Sequence, residues 1–62
     1  MVCEYEGNRL QWFDKDGRSL RIWGRSGRLP GELFAPWGAA YGPGGSVYVV
    51  DALNSRVQII QP

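Results

Sequence analysis

Apolar and polar residues alternate along several short stretches of the chain. In Arg9-Leu10-Gln11-Trp12-Phe13, Leu10 and Trp12 point one way, and Arg9 and Gln11 the other. Period two over this length predicts a half-buried strand. Asp14-Lys15-Asp16-Gly17 follows as a polar loop, and Asp-Gly is a strong hairpin turn. Alternation resumes in Arg18-Ser19-Leu20-Arg21-Ile22-Trp23, so residues 9–23 predict a β-hairpin. Gly24 to Ala35 contains Gly24, Gly27, Pro30 and Gly31 and has no helical period. It reads as a connection, with Leu33 and Phe34 pinning its end into a core.

The second half is built of shorter signals. Pro36 opens a strand that runs to Tyr41, since proline is tolerated at a first strand position. Gly38, Ala39 and Ala40 are all small and suit a place where backbones crowd together, such as a central axis. Gly42-Pro43-Gly44-Gly45 is a turn. Ser46 to Val50 is apolar on both faces, and is expected to be the most buried strand. Asp51 to Ser55 is a polar turn, and Arg56-Val57-Gln58-Ile59-Ile60 is a further strand.

The chain also repeats itself. Asn54-Ser55-Arg56-Val57-Gln58-Ile59-Ile60 set beneath Gly7-Asn8-Arg9-Leu10-Gln11-Trp12-Phe13 matches arginine to arginine, glutamine to glutamine and apolar to apolar. The offset is 47 residues, and backward extension puts Asp51 on Glu4, Val50 on Cys3 and Val49 on Val2. A period of about 40–50 residues with about four strands per period is that of a β-propeller blade. Pro36-Trp37-Gly38-Ala39-Ala40-Tyr41, then Gly45-Ser46-Val47-Tyr48-Val49-Val50-Asp51, then Asn54-Ser55-Arg56-Val57-Gln58 resembles an NHL repeat. Gly31-Glu32-Leu33-Phe34, followed by Pro36, is similar to the lead-in of bacterial NHL repeats. The first copy departs from the pattern: Glu4 replaces the aspartate and Gly7 the asparagine.

The resemblance implies an all-β fold of propeller type, with four-stranded antiparallel blades lettered outward from the axis. Residues 1–23 are then the second, third and outermost strands of one blade. Residues 36–60 are the innermost, second and third strands of the next. The 62-residue chain is thus one period cut across two incomplete blades. Repeat units bury their faces on neighbours, typically three or more. Homo-oligomerisation is therefore expected, with strands of neighbouring chains completing each blade. A chain that starts and ends inside blades also reads as an isolated or engineered propeller fragment.

Composition narrows the alternatives. A 62-residue unit is marginal alone, since it buries only about 60% of its unfolded surface. Cys3 is the only cysteine and there is no histidine, which removes an internal disulfide and leaves no zinc set. Charge is balanced at 7 basic and 6 acidic residues, which gives no general pull toward nucleic acid or an anionic membrane. No apolar run reaches the roughly 18 residues of a membrane span, and no signal layout follows Met1. A cytoplasmic location is expected.

Candidate chemistry is sparse. Asp51, Asn54 and Arg56 are read as a structural set, with Asp and Asn satisfying turn backbone and Arg56 pairing with Asp51. Arg18, Arg21, Arg25 and Arg28, with Trp23 among them, form the one patch suited to single-stranded nucleic acid. Asp14 and Asp16 nearby favour a solvated edge instead. Asp14-Lys15-Asp16-Gly17 lacks the rest of a calcium loop, and Gly42-Pro43-Gly44-Gly45 lacks the lysine and helix of a phosphate cradle. Cys3 has no basic neighbour to activate it. The NHL-like lyases use histidine-held metal, which this chain does not supply. No catalytic residue, cofactor or metal is therefore assigned. The expectation is a non-catalytic interaction module.

Overall fold

A computed structural model describes residues 1–62. Eight strands run in order: β1 (Val2–Glu4), β2 (Arg9–Phe13), β3 (Ser19–Trp23), β4 (Arg25–Ser26), β5 (Glu32–Leu33), β6 (Gly38–Tyr41), β7 (Val47–Asp51) and β8 (Arg56–Ile60). Two single 3₁₀ turns, Pro43–Gly45 and Ala52–Asn54, complete the elements. No helix is long and apolar enough to cross a membrane.

The strands form two antiparallel three-stranded sheets, β1-β2-β3 and β6-β7-β8. The hairpin at 9–23 closes where expected. Asp14 Oδ1 accepts the backbone N–H groups of Asp16 and Arg18 at 2.9 and 3.0 Å, folding the loop locally. The register slips between Trp12 and Phe13, so β2 carries an irregularity just before the loop.

Residues directly opposite in a ladder share a face. In the first sheet Cys3, Leu10 and Trp23 form one row, and Trp12 with Arg21 the next. In the second sheet Tyr41, Val47 and Ile60 form one row, and Ala39, Val49 and Gln58 the next. These two faces meet. Leu10, Val47, Val49 and Ile60 join Leu33 in a single buried cluster, with Met1, Cys3, Trp12, Trp23 and Ala39 packed around it. Burying a side chain such as Leu10 or Val49 contributes about 1.5–3 kcal/mol.

The long connection does more than span. β4 and β5 within it pair in parallel, Arg25 to Glu32 and Ser26 to Leu33. Gly27 sits at φ 152°, and a Cβ there would run into the Glu32 carboxylate, so this tight crossing requires glycine.

β7 is the most buried strand, as expected, though on one face only: Val47, Val49 and Asp51 are buried while Tyr48 and Val50 are exposed. The other face of the second sheet has no neighbour, so its apolar residues meet solvent. Three expectations are corrected. Leu33 is pinned in the core, whereas Phe34 lies at the surface. Gln11 was read as outward and polar, yet it is buried and donates to the Ser19 hydroxyl at 2.6 Å. The strand read from Pro36 begins at Gly38, with Trp37 N–H already bonded to the Val50 carbonyl at 3.0 Å.

Candidate functional site

The densest polar constellation lies where the connection meets the second sheet. Asp51 ends β7, and Arg56 opens β8 opposite it. The Asp51 side chain is fully buried. Its Oδ1 accepts the Phe34 N–H at 2.7 Å. Its Oδ2 accepts from Arg56 Nε at 2.8 Å, Asn54 Nδ2 at 2.9 Å and Gln58 Nε2 at 3.2 Å. A buried carboxylate needs such partners, because unpaired it would cost several kcal/mol.

Burial works to raise the Asp51 pKa. The donated hydrogen bonds from Phe34 N–H, Asn54, Arg56 and Gln58 outweigh it, and the carboxyl is held below the usual range. Each partner also holds the connection. Arg56 Nη2 donates to the carbonyls of Leu29 and Glu32 at 2.9 and 2.8 Å. Gln58 donates to the Glu32 carbonyl at 2.7 Å and accepts the Gly31 N–H at 3.1 Å. Asn54 donates to the Gly27 carbonyl at 2.9 Å. Asp51, Asn54, Arg56 and Gln58 thus form a clamp on the backbone of residues 27–34. The Asp51 side chain makes no hydrogen bond to the backbone of its own turn; it takes the Asn54 amide there and reaches across to the Phe34 N–H of the connection.

Gln58 was not among the residues singled out from the sequence. Its signal was present, since Gln58 falls on Gln11 in the repeat. Asn8 is a second addition. At φ 54° it accepts the Ala35 N–H at 2.8 Å and donates to the Ser26 hydroxyl at 2.8 Å, tying the first sheet to both ends of the connection. Trp12 Nε1 donates to the Tyr41 hydroxyl at 2.8 Å, a direct tie between the two sheets.

Three of the four arginines of the sequence patch engage different partners. Arg21 lies over the Trp12 ring, 5.4 Å from its centroid. Arg25 pairs with Glu32 at 3.0 Å. The Leu29 N–H and then Arg25 hold the Glu32 carboxyl below its usual range, against desolvation. Arg28 lies over Phe34 at 5.2 Å and donates to Asn54 Oδ1 at 3.3 Å. The Arg18 side chain is exposed on the hairpin loop. The two largest hollows are open and shallow in chemistry. One, of 350 Å³, lies along Trp23, Arg25, Pro30 and Glu32; the other, of 430 Å³, lies along Trp12, Arg21, Tyr41 and Pro62.

No three His, Cys, Asp or Glu side chains converge on one point. Cys3 is half-buried against the Pro36 carbonyl, and burial pushes its thiol pKa up, away from reactivity.

The remaining feature is an apolar surface. Tyr48, Val50, Val57 and Ile59 share the outer face of the second sheet, and all four are exposed. Trp37, just before the edge strand β6, is 73% exposed.

No curated protein and no solved structure matches the chain. The family model of the NHL repeat matches residues 35–60, which covers β6, β7 and β8 with the Asp51–Arg56 clamp. Over residues 35–60 the chain is similar to an NHL repeat.

Proposed function

We propose that this chain is a non-catalytic interaction module that assembles with copies of itself into a β-propeller of four-stranded antiparallel blades. The observation that carries this is the uncovered apolar face of the second sheet, where Val57 is 58% and Ile59 65% exposed. A soluble chain that holds such a face uncovered is prone to associate through it. In blade terms β1, β2 and β3 are the second, third and outermost strands of one blade. β6, β7 and β8 are the innermost, second and third strands of the next. β1 and β8 are then free edges beside missing strands, and a neighbouring chain supplies pairing there.

Nucleic acid as a partner has less support. Arg25 is paired to a carboxylate and Arg28 is laid over Phe34, so the four arginines do not present one basic surface. Sedimentation velocity over about a hundredfold range of concentration tests the assembly. A species of several times 6.9 kDa that dissociates only on dilution, or not at all, is expected. A folded monomer throughout would remove the proposal.

A further inference from the structure

The internal repeat equates faces as well as residues. With the offset of 47, Leu10 and Trp12 correspond to Val57 and Ile59, and Cys3 to Val50. Leu10, Trp12 and Cys3 lie on the covered face of the first sheet. Val57, Ile59 and Val50 lie on the uncovered face of the second. The reverse also holds. Val49 and Asp51 are on the covered face of the second sheet, and their equivalents Val2 and Glu4 are on the free face of the first.

The equivalence is structural. Arg9 Nε lies 3.0 Å from Glu4 Oε2, as Arg56 Nε lies 2.8 Å from Asp51 Oδ2. Asn8 and Ser55, the residues before each arginine, both sit at φ 54°. The chain therefore carries one sheet-to-sheet junction already made, and the two halves of the same junction unmade on its outer faces. Leu10 and Val49 share the core cluster; their equivalents Val57 and Val2 are both exposed.

We infer that a second copy of this chain docks head to tail, its free first-sheet face, through Val2, on the free second-sheet face at Val57, repeating the internal Leu10–Val49 junction. This rests on the self-assembly proposed above and specifies its geometry. The contact is heterologous, so unlike faces meet, and successive copies close into a ring when the rotation per copy permits. The connection at 24–35 has no counterpart at the new junction, so Glu4 and Arg9 spend their charges on each other.

The test uses two variants, Val57→Lys and Val2→Lys, each placing a charge on one exposed face. Both are measured by size-exclusion chromatography with light scattering, alone and mixed in equal amounts. Far-UV circular dichroism checks folding, and Val57→Thr and Val2→Thr replace any variant that unfolds. Head-to-tail docking predicts that the wild type assembles and that each variant alone is monomeric. It also predicts that the mixture forms a one-to-one dimer through the intact face of each. If the wild type assembles but Val2→Lys alone still does so, or the mixture yields no dimer, the pairing of faces is wrong while self-assembly stands. A folded monomeric wild type overturns both.

Discussion

Arg56 and Asp51 face each other across β7 and β8, 2.8 Å apart, and the Asp51 side chain is wholly out of solvent. Arg56 donates from Nη2 to the carbonyls of Leu29 and Glu32, so the pair fastens the connection to the second sheet. Removing one partner of a buried pair costs about 3–5 kcal/mol, because the other is left uncompensated. A domain of this size rarely has more than about 3–5 kcal/mol in hand. Asp51→Ala is therefore expected to leave the chain largely unfolded at 25 °C, measured by circular dichroism. A cooperative unfolding transition close to that of the wild type would contradict the clamp.

The same carboxylate sets an acid limit. Its folded pKa lies below the ordinary value of about 3.9, so the unfolded chain takes up the proton first as pH falls. The stabilisation is fully present above the unfolded pKa and is lost as pH drops through the folded one. Urea midpoints measured between pH 7 and pH 2 should fall below about pH 4. Asp51→Asn, weaker from the start, should show a smaller fall over the same window. Equal pH dependence in the two proteins would mean that Asp51 does not carry it.

Leu10 and Val57 occupy equivalent positions in the repeat but opposite situations. Leu10 is fully buried, and Leu10→Ala should cost about 2–5 kcal/mol at every protein concentration. Val57 is exposed and meets only its cross-strand neighbourhood at Val50, so Val57→Ala should leave the isolated fold within about 0.5 kcal/mol. Its effect is expected in association, seen as a lower assembled fraction on dilution. A concentration-independent loss of stability in Val57→Ala would place Val57 in the chain's own core.

Ser55 holds a left-handed backbone at φ 54°, exposed and without a side-chain hydrogen bond there. Left-handed geometry costs an L-residue roughly 1–2 kcal/mol, which glycine avoids in part. Ser55→Gly is predicted to stabilise by about 0.5–1 kcal/mol, or roughly 2–8 °C in melting temperature. A lower melting temperature would show that the Ser55 side chain holds the turn in some other way. Asn8, its repeat equivalent, already has a side chain suited to that geometry.

The hairpin at 9–23 was legible because alternation and an Asp-Gly turn act locally. The Asp51–Arg56 pair was legible because the repeat sets it beside Glu4 and Arg9. β4 and β5 were not, since two-residue parallel strands leave no periodic trace. β7 is the most buried strand, as expected, but the exposure of Tyr48 and Val50 was not legible, for a different reason. A strand apolar on both faces says that both can be buried, while burial of the second face depends on a neighbour outside the chain. The burial of Gln11 was not legible because its partner, the Ser19 hydroxyl, lies across a hairpin, and polarity alone does not reveal a satisfied interior group. Gln58 was visible only as a repeated letter until its hydrogen bonds to the connection gave it a role.

The central claim is that two half-blades in one chain complete each other between chains. Native mass spectrometry of the purified protein tests it most directly. A single discrete oligomer of the 6.9 kDa chain is predicted, with a copy number that fixes the blade count. A compact, folded monomer under the same conditions would contradict it.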